Sequence, residues 1–300
     1  MSLLSFMGAV ELGLLYGLVA MGVLLSFRVL DFPDLTVDGS FPLGAGVAAI
    51  LIVSGVNPWI ATLCAILAGM VAGFITAWIS VRWNILHLLA SILTMTALYS
   101  VNLRIMGRPN IGLSGEQTLF SLIEDLPYSH LFFMPAAMLV ITGFVLLFVY
   151  RFLSSEKGLA MRATGANIRM AKAQGIFVNQ HIIFGLALSN GLVALAGALY
   201  AQSQGFADVN LGVGTIMVGL AAVIVGEAVF NPKVILTALV ACVMGSILYY
   251  LARGLALNSG FLGLQSSDLQ LVTAVIVGIA MITPKLRAKL LDFKASRSKS

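Results

Sequence analysis

The chain holds 300 residues, 60% of them apolar and only 10% charged, with a net charge of +5 and a mean hydropathy of +1.02. A soluble domain carries about 25% charged residues, so this composition cannot cover a water-facing surface, and it leaves no room for a soluble domain of any size. The basic residues sit between apolar stretches and in the tail, which is the positive-inside pattern of a membrane protein and not a nucleic-acid footprint.

Stretches long enough to cross a bilayer, roughly 20 residues each, recur along the whole length. In chain order the expected spans are 8–28, 38–56, 58–81, 85–106, 131–151, 179–203, 211–230, 233–252 and 268–283. No Lys or Arg precedes Arg28, so the first stretch reads as a retained helix and not as a secretory leader. The connection from Gly107 to His130 is rich in Gly, Pro and Ser and reads as an extramembrane loop. Ser154 to Gln180 is the longest polar, helix-compatible stretch. The expected fold class is an all-α, polytopic membrane helix bundle of about nine spans, a single domain over 1–300.

With 154–180 and the tail placed in the cytoplasm, Lys and Arg divide fourteen inside to three outside, the three being Arg104, Arg108 and Arg253. That bias puts the N-terminus outside and the C-terminus in the cytoplasm. If 38–56 only dips into the membrane and returns, Arg28 moves outside and the division becomes thirteen to four.

Sliding the chain by 174 positions aligns 12–58 with 186–232 without a gap, giving 13 identities in 47 positions. Gly17-Leu18-Val19-Ala20 meets Gly191-Leu192-Val193-Ala194, Asp34 meets Asp208, and Asn57-Pro58 meets Asn231-Pro232. Five spans separate the two starts, an odd number, so the copies are expected to be inverted, with paired broken helices near the pathway. The division is then repeat A at about 8–106, a linker span at 131–151, a cytoplasmic segment at 154–178, repeat B at about 179–283 and a basic tail at 284–300. In the dipping arrangement the copies would be parallel. The matching interrupted spans carry Pro42 and Gly44 in one copy and Gly214 and Gly219 in the other. They read equally as pathway and as close packing through small residues.

In the fourth span Asn84, His87, Ser91, Thr94 and Asn102 fall on one helical face. A polar stripe in lipid must face protein or a water-filled cavity, so it reads as a wall of a permeation path or as a seam of interhelical hydrogen bonds. Glu11, His87 and Glu227 are the ionisable residues within spans, each near a predicted end.

No catalytic, cofactor or metal site is expected. The phosphate-binding G-x-x-x-x-G-K-[ST] loop is lacking, as are G-x-S-x-G and H-E-x-x-H, so any ATP hydrolysis must belong to another chain. His87, His130 and His181 lack metal-ligand spacing, and Cys64 and Cys242 fall mid-span as small packing residues.

The segment 156–176 alone reads as a basic amphipathic helix on the inner leaflet. Its run Gly158, Arg162-Ala163, Met170-Ala171, Gly175-Ile176 resembles the cytoplasmic loop of ABC permeases of the branched-chain amino acid and ribose importer type. Gly219 to Gly226 is similar to that family's I-A-A-V-V-x-G-G, with Glu227 in place of the second glycine. Ala194 to Gly197 and Asp34 to Ser40 add two further matches in the family's order, and 31–46 resembles a subgroup labelled as tryptophan/tyrosine permeases.

The resemblance implies a bacterial inner-membrane permease that moves a small polar solute, an amino acid and in that subgroup an aromatic one. It implies two permease subunits, here as a homodimer, two cytoplasmic ATPase subunits that use the ATP, and an extracytoplasmic solute-binding protein. It also implies that Gly158, Arg162, Ala163, Gly165, Arg169, Met170, Ala171 and Gly175 form the ATPase-coupling helix. Arg162 and Arg169, seven apart, would share a face toward partner carboxylates, and Gly165 would leave the helix slim enough to enter a cleft. The rival class is an ion-coupled secondary transporter, which needs a membrane-embedded carboxylate or cation site.

Overall fold

The computed structural model describes residues 3–121, 132–232 and 234–258, together with 274, 275 and 278. Helix α1 (Leu3–Val23) runs into a π-helical turn (Leu24–Val29), followed by α2 (Val37–Val53), α3 (Pro58–Trp83) and α4 (His87–Met106). After strand β1 (Asn110–Gly112) come α5 (Met134–Leu153), the short helices α6 (Glu156–Ala166) and α7 (Ile168–Ala173), and the long α8 (Val178–Gln204). Strand β2 (Phe206–Asp208) and a 3-10 turn (Val209–Gly212) lead into α9 (Thr215–Phe230) and α10 (Ile235–Asn258).

The molecule is an all-α, polytopic membrane helix bundle. Among the described residues seven helices are long and apolar enough to cross a membrane, and α2 is a shorter apolar helix. Eight of the expected spans fall on these elements; the ninth, 268–283, lies almost wholly outside the described residues, as does the tail. The loop at 107–130 contributes β1, which pairs antiparallel with β2 so that Ile111 faces Ala207.

Local signals set the boundaries. The Asn57 side chain accepts the Trp59 N–H at 2.9 Å and Pro58 occupies the first turn of α3, where its missing N–H costs nothing. Asn84 ends the same helix in the left-handed conformation, and Gly107 ends α4 likewise.

Lipid tails are as apolar as leucine, so helices in a bilayer associate by close approach of small residues, not by hydrophobic exclusion. The glycines of this chain sit where that approach is tightest. A Cβ on Gly73 of α3 would lie 2.2 Å from the Leu186 carbonyl oxygen of α8, and one on Gly44 of α2 would lie 2.1 Å from that of Ala194. Across the bundle a Cβ on Gly226 of α9 would meet the Ala241 oxygen of α10 at 2.1 Å, and one on Gly13 of α1 would meet the Ile247 backbone.

The contacts of Gly73 and Gly13 correspond to each other across the 174-residue offset. The first helix of each copy, α1 or α8, packs on the third helix of the other, α10 or α3. Both first helices are buried along most of their length and form the centre of the bundle.

Candidate functional site

The connection between the first span and α2 folds back through a buried hydrogen-bond network. Asp34 accepts the backbone N–H of Thr36 at 2.9 Å and the side-chain amide of Asn190 at 2.7 Å. Asn190 in turn accepts the Ser40 hydroxyl at 2.7 Å, and the Thr36 and Thr76 hydroxyls are 2.9 Å apart. All five side chains are buried, so each polar atom must find its partner inside the protein. The repeat partner Asp208 makes the same local turn, accepting the Asn210 N–H at 2.7 Å.

Asp38, in the first turn of α2, does something different. Its carboxylate accepts the N–H groups of Gly214 at 3.3 Å and Ile216 at 2.7 Å, capping the N-terminus of α9 in the other copy. Gly214 takes φ +84°, a left-handed conformation that a residue without Cβ adopts freely and that turns both amides toward Asp38. Pro42, four residues on, has no N–H to give the Asp38 carbonyl. Gly212 packs directly over that carbonyl, where a Cβ would fall 1.7 Å away. The two interrupted helices thus clasp each other.

Above this clasp opens a cavity of about 970 Å³. Its walls come from α1, α2, α4, α8, the turn before α9, α9 itself and α10, and include Tyr16, Asp38, Ile92, Tyr200, Ile216 and Arg253. The lining is mostly apolar with a few polar groups, the usual make-up of a small-molecule site. Tyr16, Tyr200 and Tyr250 supply its aromatic lining, with Tyr16 5.0 Å from Tyr250; Phe41, buried behind them, stacks on Tyr16 at 5.5 Å and meets Tyr200 edge-on at 5.7 Å. The Arg253 guanidinium sits 5.6 Å above the Tyr250 ring.

The residues expected from sequence distribute unevenly around this cavity. Gly214 lines it. Pro42 and Gly44 lie behind it, buried in α2, and a Cβ on Gly219 would meet Val23 of α1 at 2.8 Å. The polar stripe does not reach it. The Ser91 and Thr94 hydroxyls bond the carbonyls of Leu88 and Ala90 in their own helix, and Asn102 donates to the Gly39 carbonyl at 3.1 Å. His87 bonds Ser80 at 2.6 Å and stacks on Phe32 at 4.1 Å. Asn84 is not on the stripe at all, because the α3 helix ends on it in the left-handed conformation before α4 begins. The α4 residues at the cavity are Ile92 and Met95, one position round from the stripe.

Tyr16, Tyr200, Tyr250, Arg253 and Asp38 were not among the expected path residues. Arg253 was read only as one of the three outside charges, just past the eighth span. The tyrosines carried no signal, since an aromatic residue in an apolar helix reads as packing.

The cytoplasmic segment is two helices and not one. Asn167, with φ −161° and ψ 103°, breaks the chain and caps α7 by accepting the Met170 N–H at 3.0 Å. Arg162 and Arg169 therefore lie on different helices and do not share a continuous face. Gly165 does not project outward either: a Cβ there would fall 2.0 Å from the Val29 oxygen. Gly158 packs on the end of α5 in the same way, and Ala171 is buried. Ala163 is half-buried, while Arg162, Arg169 and Met170 are exposed, and Gly175 turns the chain toward α8 with φ +77°.

At the end of the first span Arg28 donates to both Glu227 oxygens, at 2.8 and 2.5 Å. This two-pronged pair ties the π-helical turn to the last turn of α9. The departure from the resembled double glycine thus has a partner. Glu11, the third ionisable candidate, is buried in α1.

Comparisons with known proteins agree with this architecture. Residues 6–288 match the model of the family described as "Branched-chain amino acid transport system / permease component". The chain is 36% identical over 282 residues to the "Tyrosine transport system permease protein" of Clostridioides difficile (strain R20291), covering 92% of this chain and 90% of that one. It is 34% identical over 281 residues to an uncharacterized protein of Rickettsia prowazekii (strain Madrid E), covering 92% and 96%. Among solved structures, "PsaBC from Streptococcus pneumoniae in complex with Fab" shares the fold, with a TM-score of 0.51 at 18% identity over 92% of this chain and 89% of that chain. The chain belongs to the branched-chain amino acid transport system permease family.

Proposed function

We propose that this chain is the membrane-spanning subunit of a bacterial ABC importer for an amino acid of the aromatic class, lodged in the inner membrane and driven by a separate ATPase. The observation that carries the reading is the cavity walled by helices from both halves of the chain, lined by three tyrosines and an arginine. The tyrosine permease relative supports the solute class. In this reading the cavity replaces the α4 stripe as the translocation path, and the N-terminus lies outside. The ends of α1 and α10 that flank the cavity then face the solute-binding protein. A second copy of the chain completes the permease pair. The exposed residues Arg162, Arg169 and Met170 meet the ATPase, while Gly158, Gly165 and Ala171 seat the segment on the bundle.

The chain would bind no cofactor; ATP would be used by the partner. Reconstitution with a cognate ATPase and solute-binding protein tests the proposal. Uptake of labelled L-tyrosine into proteoliposomes should require ATP and all three components. A second reading, ion-coupled transport, draws on the Asp34 carboxylate, an acid buried within the helix bundle. Uptake by the permease alone under an ion gradient, without ATP, would establish that reading instead.

A further inference from the structure

We propose that Arg253 and the tyrosines Tyr16, Tyr200 and Tyr250 form a solute-selecting subsite inside the cavity, which takes the carboxylate of an α-amino acid at Arg253 and its aromatic side chain against the tyrosine rings. The inference rests on the transport reading above and assigns the solute's chemical groups to residues.

Arg253 lies near the end of α10 and lines the cavity. Its guanidinium faces the Tyr250 ring, and no ion pair engages it among the described residues. A ring face offsets part of the cost of holding that charge in an apolar wall. It leaves the planar fork of N–H donors, which matches a carboxylate in two-pronged geometry.

The one acidic residue of the lining, Asp38, does not compete for that fork. Both of its oxygens are taken by the amides that begin α9. The cavity therefore presents an available cation beside a wall of rings. Tyr200, Tyr16 and Tyr250 line it, backed by the buried Phe41, and Tyr250 lies beneath the guanidinium. A ligand with a carboxylate at one end and an aromatic ring at the other fits both features at once.

Three labelled probes separate the features: L-tyrosine has both groups, tyramine has the ring without the carboxylate, and L-alanine has the carboxylate without the ring. Equilibrium binding of each is measured on the full chain in lipid nanodiscs. The wild-type chain should bind L-tyrosine at least about tenfold more tightly than either of the others, the discrimination one charge-assisted pair supplies. Arg253→Gln should lower L-tyrosine to the tyramine level and leave tyramine unchanged, and Arg253→Lys should restore part of the difference. Tyr250→Leu should weaken L-tyrosine and tyramine together. Melting of each variant in the same nanodiscs identifies any that fails to fold, and Arg253→Lys keeps the arginine arm decisive in that case.

Equal loss of all three probes in Arg253→Gln, or no loss, overturns the subsite. ATP-driven uptake of L-tyrosine by the complex, with flat binding across the probes, also rejects the subsite while leaving the transport reading intact. Binding that follows the predicted pattern in a complex that transports no amino acid would reject the transport reading and keep the site.

Discussion

Asp34 and Asp208 stand at matching places in the two repeat copies and build the same turn, each accepting an amide two residues on. Their second oxygens differ. That of Asp34 binds Asn190 inside the bundle, and the residue is fully buried. That of Asp208 accepts from the Asn110 side chain at 3.2 Å, beside the two-stranded ribbon. A repeated turn therefore keeps its backbone geometry through sequence alone, while its energetic weight depends on whether the spare oxygen meets a buried donor. The same contrast of inward and outward members recurs in the cytoplasmic segment and along α4.

The largest effect should come from Asp34→Ala. It strands the Thr36 N–H and one of the two Asn190 amide N–H groups, the other being held by the Leu186 carbonyl, and each unpaired buried group costs about 1–3 kcal/mol. Denaturation in mixed micelles should show a total loss of roughly 2–6 kcal/mol, against less than about 1 kcal/mol for Asp208→Ala at the water-accessible turn. Equal losses would break the comparison.

Next comes the cytoplasmic segment, where Gly165 faces the bundle and Arg169 faces outward. Gly165→Ala forces a methyl group into the Val29 carbonyl and should cost about 1–3 kcal/mol, the usual range for overpacking. Arg169→Glu should leave the melting temperature unchanged and reduce co-purification of the ATPase. The reverse pattern would exchange the roles of the two faces.

The smallest effect belongs to the α4 stripe. Thr94→Val keeps the shape and removes a hydroxyl that bonds only its own helix. It should change stability by less than about 1 kcal/mol, the net worth of one such hydrogen bond, and leave uptake per molecule unaltered.

The sequence made the spans legible because length and hydropathy decide them, and the Asn-Pro and Gly signals placed several ends closely. The fixed 174-residue offset sets Asp34 opposite Asp208, and each closes an Asx turn. The cavity was not legible. Its aromatic residues are separated by up to 234 positions, from Tyr16 to Tyr250, and in apolar helices they resemble any packing residue. The stripe's two readings could not be separated for a related reason: Ser and Thr in a membrane helix can satisfy themselves on the preceding turn, so a polar face need not border water. In the cytoplasmic segment Asn167 was the hidden break, since a cap residue inside an amphipathic pattern also passes for surface polarity.

The central claim is that solute passes through the cavity and not along the polar stripe. Adjacent residues of α4 separate the two: Ile92 lines the cavity and Ser91 is buried beside it. Each is changed to Cys on a background carrying Cys64→Ser and Cys242→Ala, and ATP-driven uptake is followed after treatment with a water-soluble, membrane-impermeant thiol reagent. The reagent should block uptake by Ile92→Cys, with protection by excess solute, and leave Ser91→Cys active. Block at Ser91→Cys with an unaffected Ile92→Cys would contradict the claim.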